Sequence, residues 1–318
     1  MTPPEKTDAL ELTQFPLDEQ DAAALGPLYQ RFKSFWADAS EEPRAKFHRF
    51  IGATPSADGA LFRPTDTPEL PGIWCEPPSA AAERAILYLH GGAYTLGSAD
   101  TYRGFVSQIA ARAQARAFIL DYPLAPETTA PVALELAREA LDSLLARHRH
   151  VAVVGDSAGG GLALATVAGA ARAPSTLAAE HTVGRVAAAV VFSPWTDLTL
   201  SGRSFEEKAS SDVLLEPALL ADAARGYIGN LAADDPRVSP LFGIPRGLPP
   251  LLIQAGTEEL LLDDSRRYAR AASGAGAAVR LELWQGLHHV FQLDVETLAS
   301  ARRALDRAAA FLSSAWLG

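Results

Sequence analysis

The segment Gly155-Asp156-Ser157-Ala158-Gly159 has the pattern G-x-S-x-G, directly after the apolar run 151–154 and just before a helical stretch that begins near Gly160. A serine on a sharp strand-to-helix turn projects its hydroxyl from the sheet edge, and small neighbours leave room for that turn. Such a hydroxyl is too weakly acidic to attack at neutral pH unaided, so a base must take its proton as the new bond forms. The chain has seven histidines. His48 falls in an N-terminal helical region, His148 and His150 in a polar Arg-His-Arg-His tract, and His181 in a loop, and all four read as exposed. His288 and His289 differ, because they follow the apolar run 279–284 in a short turn that can reach the sheet edge. One of these two is the expected base.

The third requirement is a carboxylate that orients the imidazole and stabilises its positive form. Gly256-Thr257-Glu258-Glu259 follows the apolar run 251–254, which gives the chain order serine, acid, histidine. Glu258, Glu259, Asp263 and Asp264 are all available there, and most of them are also explained as acidic residues at a helix N-terminus. Upstream, His90-Gly91-Gly92-Ala93-Tyr94 follows the run 85–89, where small residues let backbone N–H groups approach a developing oxyanion. With the N–H of Ala158, this segment makes an oxyanion hole.

These groups need a scaffold that places strand ends side by side. Apolar runs recur at 85–89, 117–120, 151–154, 186–192, 251–254 and 279–284, separated by helical segments such as 131–147 and 161–172. That alternation predicts an α/β fold with a mainly parallel sheet and helices on both faces. Prolines at 64, 68 and 71 break the stretch 61–76, leaving 61–62 and 73–74 as short edge strands. Residues 1–55 read as helical throughout, on the three-and-four spacing of Leu25, Leu28, Tyr29, Phe32, Phe35 and Trp36. The interval 194–250 is too long for a simple crossover and reads as an insertion with a helix at 216–228 and a Pro/Asp-rich turn at 234–240.

The three motifs His90-Gly91-Gly92-Ala93-Tyr94, Asp121-Tyr122-Pro123-Leu124-Ala125-Pro126-Glu127 and Gly155-Asp156-Ser157-Ala158-Gly159-Gly160 resemble those of the hormone-sensitive-lipase-like family of bacterial α/β-hydrolase esterases. Asp235-Pro236-Arg237-Val238-Ser239-Pro240 supports the likeness, which extends from about residue 85 to the C-terminus. The resemblance implies Ser157 as nucleophile, His289 as base within Gly286-Leu287-His288-His289-Val290-Phe291, and Glu259 as acid at the head of the family's D-P-L-x-D-E stretch. It also implies Gly91, Gly92 and Ala158 as oxyanion donors, with His90 a hydrogen-bonding rather than proton-transferring residue. Two departures stand at the acid: Glu259 replaces the family's aspartate and Leu260 its proline, so Glu258 and Asp263 remain alternatives. By the same likeness, residues 1–55 and an insertion at about 195–230 form a cap over a catalytic domain spanning 56–318. Phe32, Phe35, Trp36, Tyr94 and Trp195 would line an acyl pocket.

The implied activity is hydrolysis of short- to medium-chain acyl esters through an acyl-enzyme, with lactone hydrolysis by the same triad as the alternative. A non-catalytic small-molecule receptor of this fold typically lacks the base histidine, which is present here. The net charge of −10 argues against nucleic acid and anionic membranes as partners. The single cysteine, Cys75, excludes an internal disulfide and a thiolate metal cluster and fits a cytoplasmic location. Residues 1–15 carry no apolar signal region. Neither G-x-G-x-x-G nor G-x-x-x-x-G-K-[ST] occurs, so no cofactor and no metal are expected, only a small ester substrate and, as a family-level expectation, a homodimer.

Overall fold

A computed structural model describes residues 10–38, 40–65, 67–172 and 184–317. Its strands are β1 (Leu10–Phe15), β2 (Leu61–Pro64), β3 (Gly72–Glu76), β4 (Ala81–Leu89), β5 (Ala115–Leu120), β6 (His150–Asp156), β7 (Arg185–Phe192), β8 (Leu251–Gly256) and β9 (Val279–Trp284). They form one sheet in the order β1-β9-β8-β7-β6-β4-β5-β3-β2. All neighbours are parallel except β5 with β3 and β3 with β2. From Ala85 to Leu89 and from Val151 to Val154 every side chain is buried, because both faces of the sheet are covered. That is why these strands read as unbroken apolar runs rather than alternating ones.

The helices are α1 (Glu19–Ala37), α2 (Pro43–Ile51), α3 (Arg103–Ala113), α4 (Val132–Leu145), α5 (Ser157–Arg172), α6 (Ser204–Glu207), α7 (Pro217–Ile228), α8 (Leu262–Gly274) and α9 (Ala299–Leu317). One buried cluster joins one sheet face to α4, α5, α7 and α8, and a second joins the other face to α3 and α9. A third cluster packs Leu25, Leu28 and Phe32 of α1 against Trp284, Leu287 and Phe291 at the end of β9 and beyond. None of the described helices is long and apolar enough to cross a membrane.

Two expectations are corrected. Residues 10–15 form an edge strand, not part of a helical stretch, and pair in parallel with β9 from Leu10 opposite Val279 to Phe15 opposite Trp284. Pro16 explains this, since the residue before a proline is driven into extended backbone. Helix starts only after it, where the Asp18 carboxylate caps the Gln20 N–H. Phe15 then stacks on Trp284 at 4.2 Å. His148 is buried rather than exposed: it lies between the end of α4 and β6, bonded through Nδ1 to Ala82 O at 3.0 Å, and burial pushes its pKa down. His181 lies outside the described residues.

Candidate active site

Chain order reverses between β4 and β6, since β4 is followed by β5 on one side and flanked by β6 on the other. The carboxyl ends of neighbouring strands at such a switch point open a crevice between diverging connections. Leu89 at the end of β4 lies opposite Gly155 of β6, so the glycine loop after one strand and the serine turn after the other face each other. Ser157 has φ +53°, a left-handed conformation costly for a non-glycine residue and held here by the packing around the turn. Gly159 lets the turn close against β4. A Cβ there would sit 2.1 Å from Leu89 O and 2.2 Å from His90 O, both rigid backbone. Gly159→Ala is therefore expected to destabilise the fold by more than about 3 kcal/mol. Urea unfolding would measure it, and a midpoint equal to wild type would contradict the close approach.

The Ser157 hydroxyl donates to His289 Nε2 at 3.0 Å, and His289 Nδ1 faces Glu259 Oε2 at 3.5 Å. All three residues are buried. The Nδ1–Oε2 separation is long for a hydrogen bond in the neutral state, as is common before substrate binds, and it is the pair that tightens when the imidazole becomes charged. The acid alternatives are committed elsewhere. Glu258 pairs with Lys208 at 2.9 and 3.0 Å, while Asp263 accepts the Arg203 N–H at 3.0 Å. Asp264 is buried apart from His289, accepting the N–H groups of Thr196 and Asp197, and burial pushes its pKa up to about 8.

Burial works against a charged His289, but the adjacent Glu259 carboxylate, with Asp212 and Asp156 adding, more than offsets it and raises its pKa above the ordinary value of 6.5. A histidine in this position accepts the serine proton only when neutral, so activity that depends on it is expected to be lost as pH falls through that raised value. The acidic limb of a kcat/KM profile is thus expected above pH 6.5. A limb below it would contradict the electrostatic balance.

One oxyanion assignment is corrected. Gly91 N–H donates to Asp156 Oδ1 at 2.9 Å and is already committed. The cause is the β4–β6 register, which sets the Asp156 carboxylate beside the first peptide after β4. Tyr88 and Tyr102 hydroxyls donate to the same carboxylate at 2.6 and 3.0 Å, and burial raises the Asp156 pKa to about 6 despite these donors. Next in the chain, Gly92, Ala93 and Tyr94 all have positive φ, +114°, +53° and +62°. Successive peptides in such a turn present N–H groups toward a common concavity. Ala158, at the start of α5, places its N–H at the positive end of a helix.

His90 lies behind this loop with its pKa pushed down to about 4 by burial, so it is neutral at pH 7. It stacks on Tyr122 at 4.3 Å, and its Nδ1 must carry the proton, because its partner at 2.8 Å is the Gly91 carbonyl. Tyr122 in turn donates to His90 O at 2.6 Å. Glu127 binds Arg44 of α2, whose guanidinium also reaches Thr95 O and Ala125 O, fixing α2 to the glycine loop. Ser239 Oγ accepts the Leu198 N–H at 2.7 Å, which gives the Asp235–Pro240 motif its positioning role.

A model of the alpha/beta hydrolase fold family matches residues 86–293, the span that carries the glycine loop, Ser157, Glu259 and His289. The chain belongs to this family of enzymes. Within it, the hydrolase is 39% identical over 241 residues to an acetyl-hydrolase of Streptomyces hygroscopicus, covering 75% of this chain and 78% of that one. It is 34% identical to an esterase of Acinetobacter venetianus, over 74% and 76% of the two chains. Among solved structures, an esterase from the bacterial hormone-sensitive lipase family superposes with a TM-score of 0.84 at 32% identity, covering 92% of the hydrolase and 98% of that esterase.

A cavity of about 230 Å³ opens beside His289, between α1, α2 and residues 288–297, with Phe32, Phe35, Phe50 and Leu214 in its walls. Trp36 packs on Phe35 and Phe50 outside it. Tyr94 and Trp195 are wholly buried, and Tyr94 stacks on Tyr227 at 3.7 Å, so these two form packing beneath the site rather than its lining. Sequence reasoning missed Ser193, whose hydroxyl donates to Glu259 Oε2 at 2.7 Å and accepts the Val290 N–H at 3.1 Å. It joins the acid to the histidine loop, and its only sequence signal is its place just after β7.

Proposed function

We propose that the protein is a serine carboxylesterase acting on short- to medium-chain acyl esters, with Ser157, His289 and Glu259 as its triad. The observation that carries this reading is the 3.0 Å contact between Ser157 Oγ and His289 Nε2, backed by a buried Glu259 just after β8. Ser157 Oγ attacks the ester carbonyl carbon while its proton passes to His289 Nε2. The tetrahedral oxyanion is held by the N–H groups of Gly92, Ala93 and Ala158, Ala93 taking the place expected for Gly91. Collapse breaks the C–O bond to the alcohol, which leaves with the proton from His289. Water then attacks the acyl-Ser157 ester with His289 again as base, releasing the carboxylic acid and restoring the serine.

The cap follows as part of the proposal: within residues 1–55, α1 and α2, together with the insertion at about 195–230, cover the crevice. Val213 and Leu214 pack with the α1 aromatic cluster, which joins the two pieces. The test is turnover of 4-nitrophenyl esters of increasing acyl length, with γ-valerolactone alongside. Short-chain ester hydrolysis that depends on Ser157 supports the reading. Lactone opening without ester turnover would move the function to lactone hydrolysis.

A further inference from the structure

Both departures from the family's acid motif, Glu259 for aspartate and Leu260 for proline, fall on adjacent residues, and the second creates a backbone donor that proline lacks. The structure shows where that donor goes. Leu260 N–H binds Asp212 Oδ2 at 2.8 Å, while the other oxygen of Asp212 accepts the N–H groups of Leu214 and Leu215, both at 2.9 Å. The Leu260 carbonyl is held from the same segment by Ser204 Oγ at 2.5 Å, and Ser204 Oγ also accepts the Asp263 N–H at 3.0 Å. On the other side of Glu259, Glu258 N–H binds Leu287 O at 3.0 Å, which ties the acid loop to the histidine loop. Glu259 is therefore clamped from both sides, by the histidine loop before it and by residues 204–212 after it.

We propose that Asp212 is a positioning residue for the triad: through the Leu260 N–H it holds the loop in the one setting from which the longer Glu259 side chain reaches His289. This rests on the triad reading above. In the family pattern a proline would stiffen the loop covalently and a shorter aspartate would need less guidance. Here a glutamate with one more rotatable bond sits in a loop without proline, and a hydrogen bond to a charged acceptor supplies the restraint. The arrangement also makes the segment after β7 part of the catalytic apparatus, since its movement would carry Leu260, and Glu259 with it, away from the imidazole.

The test is a cycle of Asp212→Ala, Asp212→Asn, Leu260→Pro and the double variant Asp212→Ala/Leu260→Pro, with thermal unfolding run on each. Asp212→Ala is expected to lower kcat for a short-chain ester by about 10- to 100-fold with KM within about twofold, the pattern of a misplaced catalytic group rather than lost binding. Asp212→Asn keeps an oxygen for Leu214 and Leu215 but turns an amide toward Leu260, and is expected to lose a similar amount. The charged groups acting on His289 are Glu259, Asp212 and Asp156. Removing the Asp212 charge in either variant therefore moves the acidic limb of the kcat profile to lower pH. In the Leu260→Pro background, where the donor is gone, Asp212→Ala should cost less than about threefold; were that variant unfolded, Asp212→Asn alone still decides. A folded Asp212→Asn with wild-type kcat, or an Asp212→Ala loss that is the same in both backgrounds, would overturn the assignment. Turnover that survives Ser157→Ala would instead overturn the triad reading itself, so the two failures are distinct.

Discussion

Ser157→Ala is expected to lower kcat for a short-chain 4-nitrophenyl ester by about 10⁶-fold while KM stays within about threefold. Alanine removes the only atom that forms the acyl bond and leaves the oxyanion N–H groups in place. The residual rate then reflects binding and electrostatic stabilisation alone, about 10³ to 10⁴ above water. Methyl for hydroxymethyl is a small change in a residue only 7% exposed, and Trp195 N–H binds the Ser157 carbonyl rather than its side chain, so the fold should persist. Single-turnover acylation on wild type and variant checks this directly. A variant that keeps even a hundredth of wild-type turnover would remove Ser157 from the nucleophile role.

Glu259→Gln is expected to cost about 10³- to 10⁴-fold in kcat. The amide keeps the shape and can still meet Ser193, but it does not stabilise the imidazolium, and in one orientation it presents a donor to the Nδ1–H. Glu258→Gln is the control, because Glu258 pairs with Lys208 on the outer side of the loop, and it should stay within about threefold. Glu259→Asp keeps the charge but withdraws it by one methylene from a separation already at 3.5 Å, so it should fall between the two. The acid limb of the pH profile sharpens the test, since removing the Glu259 charge removes a group that raises the His289 pKa, and the limb should move to lower pH. If Glu258→Gln rather than Glu259→Gln produced the large loss, the acid would be misassigned.

Much of this architecture is legible in the residues because it follows from local rules. Strands covered on both faces are largely apolar, so the runs at 85–89 and 151–154 mark β4 and β6, while 279–284, interrupted by Arg280 and Glu282, marks β9 with the same ends as the strand observed. The serine turn is legible because its geometry demands small residues at fixed offsets from Ser157. The edge strand at Leu10–Phe15 is signalled only by Pro16, a weaker mark than the helical spacing of the residues after it.

The sequence by itself determined the fold class and the sharp turn at Ser157, because both follow from local patterns of residue types, and it set the chain order of Ser157, Glu259 and His289. Only the tertiary structure decided which acidic residue reaches the imidazole, which N–H groups stay free for an oxyanion, and what restrains the acid loop. Glu258 and Glu259 are neighbours in the chain, yet one turns toward Lys208 and the other toward His289. Gly91 and Gly92 are equally small, yet the register of β4 against β6 sets Asp156 against the first. Asp212 lies 48 residues from Leu260 and carries no motif. Hydrogen-bond partners at such separation are chosen by how the chain packs, and a pattern of residue types along one strand of sequence contains no term for that choice.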